Sequence, residues 1–237
     1  MKIIYILIAI VIVFVFWYYC CYCSELVEMF NLSDMHSKLK LDFGSFNDEY
    51  PEQIMVYKFL KGDEKVLEIG ANIGRNTLII ASILNNQQNL VTMESCPNIF
   101  KQLEHNKNLN NMNFFTENSA LSKKKLIQKN WDTIQSDVLI DGYQNVNIIT
   151  YDQLLQKYNI RFDTLVLDCE GAFYYILQDM PEILDDIKMI IMENDYHNIN
   201  HKNYIDDILI KSGFKVVYSK SGGWGPCTNN FFEVWKK

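Results

Sequence analysis

From Lys65 onward, short uninterrupted apolar runs alternate with longer stretches in which apolar residues recur every third or fourth position. The first pattern belongs to buried strands and the second to helices with one apolar face. Strands are expected at Lys65–Ile69, Asn89–Glu94, Asn113–Thr116, Asp163–Asp168 and Met189–Glu193, with a further short one at Val146–Thr150. Helices are expected at Asp48–Leu60, Thr77–Leu84, Pro97–Asn108, Asp152–Lys157, Gly171–Gln178 and Tyr204–Lys211. Asp152 reads as the cap of its helix and Gly213 as a stop signal. Two more strands, Lys215–Tyr218 and Asn230–Trp235, follow, joined by the glycine-rich loop Ser221–Pro226. Strand and helix in alternation imply an α/β fold, doubly wound, with a mostly parallel sheet covered by helices. Ser122–Asn145 carries no clean period and reads as a hairpin with a surface loop.

The pattern before Ser24 is different. Ile3–Phe16 is almost wholly apolar, Trp17-Tyr18-Tyr19 follows, and the segment to Cys23 carries no charge. About 20 such residues suffice to cross a bilayer, and aromatic residues suit its interface. Residues 3–23 are therefore expected to be a transmembrane helix, with the lipid bilayer as partner and a single-pass membrane localisation. A cleaved signal peptide is the alternative, but bulky aromatics stand where small residues would mark cleavage. Cys20, Cys21 and Cys23 are either palmitoylation candidates or plain helix residues. Lys2 against Lys38 and Lys40 leaves the orientation open. The expected organisation is an anchor at 1–23, a stalk at 24–47 and a globular domain at 48–237.

Composition narrows the partners. The chain has 237 residues, 49% of them hydrophobic, and a formal net charge of −7. That charge argues against a nucleic-acid partner, which calls for a basic face. Beyond the N-terminal cluster Cys20, Cys21 and Cys23, no cysteine pair has C-x-x-C spacing, so no zinc site is expected.

Candidate chemistry lies where the strands end, because ligands of open α/β sheets bind beyond the strands' carboxyl ends. The first strand runs into Glu68-x-Gly70-x-Asn72-x-Gly74. Gly70 and Gly74 can adopt left-handed angles and admit a ligand close to the backbone, and asparagine is one of the few other residues that tolerates such angles. The turn lacks the G-x-G-x-x-G spacing of dinucleotide sites, which argues against a nicotinamide oxidoreductase. Acidic residues close four of the five central strands: Glu68, Glu94, Asp168 with Glu170, and Glu193; Asn118-Ser119 closes the third. Crowded carboxylates repel one another, so a cationic ligand, such as a sulfonium bearing an amino group, fits there. Glu94, about 20 residues beyond Gly74, stands where nucleotide-binding sheets place a ribose acceptor.

These segments resemble a known family. Glu68-x-Gly70-x-Asn72-x-Gly74 is similar to motif I of class I S-adenosylmethionine methyltransferases. Glu68-Ile-Gly-Ala-Asn-Ile-Gly74, Asn118-Ser-Ala-Leu-Ser122, Tyr151-Asp-Gln-Leu-Leu155, Asp168-Cys-Glu-Gly-Ala172 and Met192-Glu193 together resemble FkbM-type methyltransferases, in order and spacing. Phe173 departs from the pattern, replacing the second glutamate of D-x-E-G-A-E, and Leu167 departs slightly before it. The resemblance implies a seven-stranded Rossmann-like domain with S-adenosylmethionine as cofactor. It implies cofactor binding by Glu68, Gly70, Ala71, Asn72, Gly74, Glu94, Asn118, Ser119 and Asp168. It further implies O-methylation of a hydroxyl on a glycan or another small-molecule or lipid-linked acceptor. Asp168, Glu170 and Glu193 are the candidate catalytic carboxylates; Glu170 could equally cap the helix after it. An inactive methyltransferase-fold interaction module is the rival reading. His197 and His201 are expected in a polar loop; a metal set with Asp195 is conceivable, but no metal ligand is assigned. Trp224 and Trp235 are expected to pack.

Overall fold

The structure, a computed structural model, describes residues 27–237. The apolar run at 3–23 lies outside the described residues. Among those described, no helix is long and apolar enough to cross a membrane. The chain divides into a unit ending at Lys38 and a second unit, Leu39–Lys237. The first contains helix α1 (27–38), along which Lys38 pairs with Asp34 at 2.5 Å.

The second unit is built on a seven-stranded sheet. Its strands are β1 (Val66–Ile69), β2 (Leu90–Met93), β3 (Phe115–Glu117), β9 (Thr164–Leu167), β10 (Met189–Glu193), β11 (Lys215–Lys220) and β12 (Phe232–Lys236). The spatial order is β3-β2-β1-β9-β10-β12-β11, and β12 alone runs antiparallel to its neighbours. Strand order therefore reverses between β1 and β9, which is where such sheets open a crevice. The two strands are in register, Ile69 opposite Leu167, and β10 continues the row with Met192 opposite Leu167. Everything that follows these strands therefore emerges at one level.

The four central strands are buried, apart from half-buried Glu193 at the end of β10. Leu67, Ile69, Leu165, Leu167, Ile190 and Met192 enter one apolar core with α5 (Tyr151–Tyr158), α6 (Ala172–Asp179) and α7 (Ile199–Lys211). Helices α2 (Tyr50–Phe59) and α3 (Arg75–Ile83) pack together and against the sheet. α4 (Pro97–Leu109) opens on a proline at its first turn, as expected. A separate small sheet of β5 (Leu126–Lys129), β6 (Asp132–Gln135) and β7 (Gln144–Val146) fills the unpatterned stretch, while β4 (Ala120–Leu121) pairs with β8 (Ile148–Ile149).

Three local expectations are corrected. The cap of α5 is Thr150, not Asp152; Thr150 and Gln153 form a reciprocal capping box. α3 begins at Arg75, two residues earlier than expected, because left-handed Gly74 (φ 94°) ends the turn directly. α7 begins at Ile199, capped by the Asn198 side chain, so His201 lies in a helix and not in a loop.

Gly70 fixes how closely β1 and β9 approach at their ends. Its φ is 92°, and a Cβ there would lie 1.6 Å from the carbonyl oxygen of Asp168. Gly213 also has a left-handed φ, 89°, but nothing lies within 4 Å of its missing Cβ. Gly213→Ala should thus carry only the conformational penalty, about 1–2 kcal/mol. Gly70→Ala adds a backbone collision and should cost at least about 3 kcal/mol, because neither strand end can give way without breaking the row. Urea unfolding of both variants tests this; equal losses would show that the close approach does not constrain the fold.

Candidate active site

The loop after β1 is tied to β2. The amides of Gly70 and Ala71 both donate to the carbonyl of Met93, at 3.0 and 2.9 Å. Asn72 is left-handed as expected, with φ 50°. Its own amide donates to Oε2 of Glu94 at 3.0 Å, and the amide of Cys96 donates to Oε1 of the same side chain at 2.7 Å. The amide of Ser95 bonds the same carboxylate, so Glu94 fastens two loops with three amides and its two oxygens keep capacity for a ligand hydroxyl. Burial pushes its carboxyl up to about 7 against the pull of these amides.

Glu68 is almost fully buried and tied down by two threonines. Its Oε2 accepts from Thr77 and Thr92, both at 2.6 Å, and Thr92 is its register partner on β2. Burial raises its carboxyl to about 7, against both hydroxyls. Asn118 donates to the carbonyl of Glu94 at 2.8 Å, and Ser119 donates to Glu117 at 2.7 Å. Glu117 also receives Lys157 and Tyr158. Burial alone would raise its carboxyl; those three donors outweigh it and lower it. Ser119 is therefore one supporting contact removed from the first loop, and Asn118 braces the Glu94 backbone.

At the ends of β9 and β10, acidic groups meet one another. Glu193 is hydrogen-bonded to Asp168 and to Glu52 of α2. Burial first, then the neighbouring acids, raise Asp168 well above the usual carboxylate range and push Glu193 up to about 12. Glu49 comes from the same side as Glu52. It is left-handed (φ 55°) and its Oε1 accepts from Asn72 at 2.9 Å and Arg75 at 2.5 Å. Burial raises Glu49, and Arg75 opposes the rise.

A small pocket sits among these groups, lined by Glu49, Glu52, Glu68, Gly70, Ala71, Asn76, Val166 and Asp168. Two of its lining atoms, Oε2 of Glu52 and Oδ1 of Asn76, are buried with no hydrogen-bond partner. Both are acceptors, so the pocket lacks a donor, and a cationic amino group would supply one.

Beyond Asp168 the chain is strained. Glu170 is an exposed non-glycine residue with φ 51°, a conformation that costs free energy and gathers at functional sites. It does not cap α6: Gly171 occupies the N-cap position, and no side chain caps that helix. Partial burial raises Glu170, and His197 draws it back down. Asp195 accepts the amide of Gly171 at 2.9 Å. Phe173, at the position of the missing second glutamate, is fully buried in the core and is a packing residue. Trp235 packs as expected, at 3% exposure; Trp224 does not, being 40% exposed with its ring 4.5 Å from His197.

The strand-end residues picked from the sequence thus gather at one edge of the sheet, with Glu68 among the residues lining the pocket and Ser119 set behind. The residues not foreseen as part of the site are Glu49, Glu52 and Asn76; Asp195 was expected only as a metal partner for the two histidines. Asn76 follows the glycine turn by two positions and could have been read as the first turn of α3; nothing in the sequence assigns Glu49 and Glu52 to a pocket 16 or more residues away.

The model of the methyltransferase FkbM domain matches residues 68–216. The chain belongs to the FkbM methyltransferase family, and S-adenosylmethionine is its cofactor. Among solved structures it is similar to the ribosomal protein L11 methylase of Lactobacillus delbrueckii subsp. bulgaricus. That match has 10% identity, covers 83% of this chain and 81% of that one, and has a TM-score of 0.52. It is also similar to a methyltransferase from Pyrococcus furiosus, with 16% identity, 90% and 98% coverage and a TM-score of 0.50. At these identities the likeness establishes the Rossmann-like methyltransferase fold. No curated protein matches the chain. The residues fit the cofactor: the pocket's orphaned acceptors suit its amino group, and Glu94 keeps acceptor capacity for a ribose.

The buried acids predict a pH dependence of stability. The folded pKa of Glu68, about 7, stands above its ordinary value of 4.5. The folded state binds that proton more tightly, so its contribution is fully present below pH 4.5 and is lost as pH rises through 7. The chain should melt at a lower temperature at pH 8 than at pH 5. Glu68→Gln, which keeps an acceptor for Thr77 and Thr92, should remove about 1–3 kcal/mol of that difference. Thermal melts across this range check it; a variant with an unchanged pH slope would mean that Glu68 is ionised without cost.

Proposed function

We propose that this methyltransferase transfers its methyl group to a hydroxyl of a glycan or a related small-molecule or lipid-linked acceptor. The observation that carries the reading is the strained, exposed Glu170 directly beyond Asp168, within electrostatic reach of His197, whose ring in turn lies 4.5 Å from the exposed ring of Trp224. A hydroxyl needs a base to take its proton, and an exposed aromatic ring on the far side of His197 suits a sugar face.

The cofactor supplies an activated methyl group. Asp168, Glu52 and Asn76 would hold its amino-acid end and Glu94 its ribose, while the backbone at Gly70 and Ala71 lets it lie close. An acceptor hydroxyl aligned with that methyl group would be methylated in line, with its proton taken by a carboxylate of this chain. Alignment is the main task, and ordering both reactants can contribute about 7–11 kcal/mol at best. The choice of base follows from exposure. Asp168 and Glu193 are bonded to each other and pushed well above the usual carboxylate range, whereas Glu170 is exposed and stands outside their chain; partial burial raises it too, and His197 opposes that rise. Glu170 is therefore the base in this reading.

Incubation of the full chain with labelled S-adenosylmethionine and a panel of glycans and lipid-linked glycans should place label on a hydroxyl oxygen. Glu170→Gln should lower turnover by about 10²-fold or more, in the range of general acid–base catalysis, with S-adenosylhomocysteine affinity within a few fold of the parent. Label on nitrogen or carbon would overturn the O-methylation reading; normal turnover by Glu170→Gln would move the base elsewhere.

A further inference from the structure

We propose that Asp168, Glu193 and Asp195 form a site for one hard divalent cation of the magnesium, manganese or calcium class. Asp168 and Glu193 leave adjacent strands at level ends, and Asp195 follows Glu193 by two positions. One carboxylate oxygen from each lies within 4.8 Å of the other two. Metal–oxygen distances of about 2.0–2.6 Å allow two ligands on one ion to stand about 4–5 Å apart, so the three oxygens need little movement to share an ion.

Asp195 gives the independent evidence. It is 4% exposed, and while Oδ1 takes the amide of Gly171, Oδ2 is buried with no partner. A buried carboxylate oxygen left unpaired bears its full desolvation cost, which a bound cation removes. The donor set is all oxygen, which selects a hard ion over zinc or copper. The nearby histidines are engaged elsewhere: His201 lies flat on Tyr174 with ring centres 3.8 Å apart, and His197 meets Trp224. The cluster also differs from the cofactor pocket, whose lining includes Asp168 but neither Glu193 nor Asp195.

The role of the ion rests on the hydroxyl-transfer reading above; the site itself does not. An ion here stands beside Glu170, whose charge acts on Asp195. A hydroxyl bound to it becomes more acidic, which eases transfer of its proton to Glu170.

Calorimetric titration of the full chain with manganese and calcium chlorides, without S-adenosylmethionine, tests the site; electron paramagnetic resonance counts the bound manganese. One ion per chain is expected. Asp195→Asn should weaken binding at least tenfold while S-adenosylhomocysteine affinity, measured in chelator, stays within a few fold. If thermal melts show that Asp195→Asn does not fold, Glu193→Gln is compared with the parent for ion binding alone. No binding of either ion at millimolar concentration, or unchanged binding by a folded variant, would overturn the site. Full-rate methylation of a hydroxyl by chelator-stripped protein would overturn the ion's role. A chain that binds the ion but methylates no hydroxyl supports the site and counts against the hydroxyl-transfer reading alone.

Discussion

Carboxyl groups pressed against one another at the carboxyl edge of the sheet constrain the rest of the molecule. Asp168 is hydrogen-bonded to Glu193 and Glu193 to Glu52, with Asp195 and Glu49 close by. Like charges in a partly dehydrated site raise one another's proton affinity, so the cluster stays partly neutral until a cation arrives. Keeping such groups together costs free energy, and the structure offsets it with an apolar sheet buried along four central strands. The level register of β1, β9 and β10 puts the acids in one row, and the missing side chain of Gly70 lets the first two strand ends close up.

The same row accounts for the division of labour among the acids. Glu94 is fastened by the amides of Asn72 and Cys96, so it shapes the loops that it would also offer to a ribose. Glu68 sits behind the first loop, bonded to two threonines, and acts on the turn through α3 and β2. Arg75 answers Glu49 on one flank. The acids on the other flank, Glu193 and Asp195, have no such partner cation among the described salt bridges, and there the cation site is proposed.

Much of this was legible because strand ends are legible. An apolar run that stops at an acid places that acid at the edge of a parallel sheet, which is why Glu94, Asp168 and Glu193 were found. Left-handed turns were legible through Gly70, Asn72 and Gly74. Glu49 and Glu52 were not, since a helix pattern does not say which strand ends its first turn folds against. The capping box of α5 was present as Thr150-x-x-Gln153 and was obscured by the nearer Asp152. The start of α7 was hidden by its run of Asn and His residues, which favour turns in isolation but here are overridden by packing of Ile205 and Leu209. The hairpin expected within Ser122–Asn145 is β5–β6, whereas the pairing of β7 with β5 escaped because β7 is only three residues long, Gln144–Val146, too short to show any alternation.

The central claim is that the acidic pocket recognises a positively charged amino group. Comparing S-adenosylhomocysteine with 5′-methylthioadenosine, which keeps the nucleoside and lacks the amino-acid end, tests it in one calorimetric experiment on the full chain. Methylthioadenosine is expected to bind at least tenfold more weakly, a loss of about 1.4 kcal/mol or more. Equal affinity for the two would contradict the claim, since the buried carboxylates around Asp168 would then make no contribution to holding the cofactor.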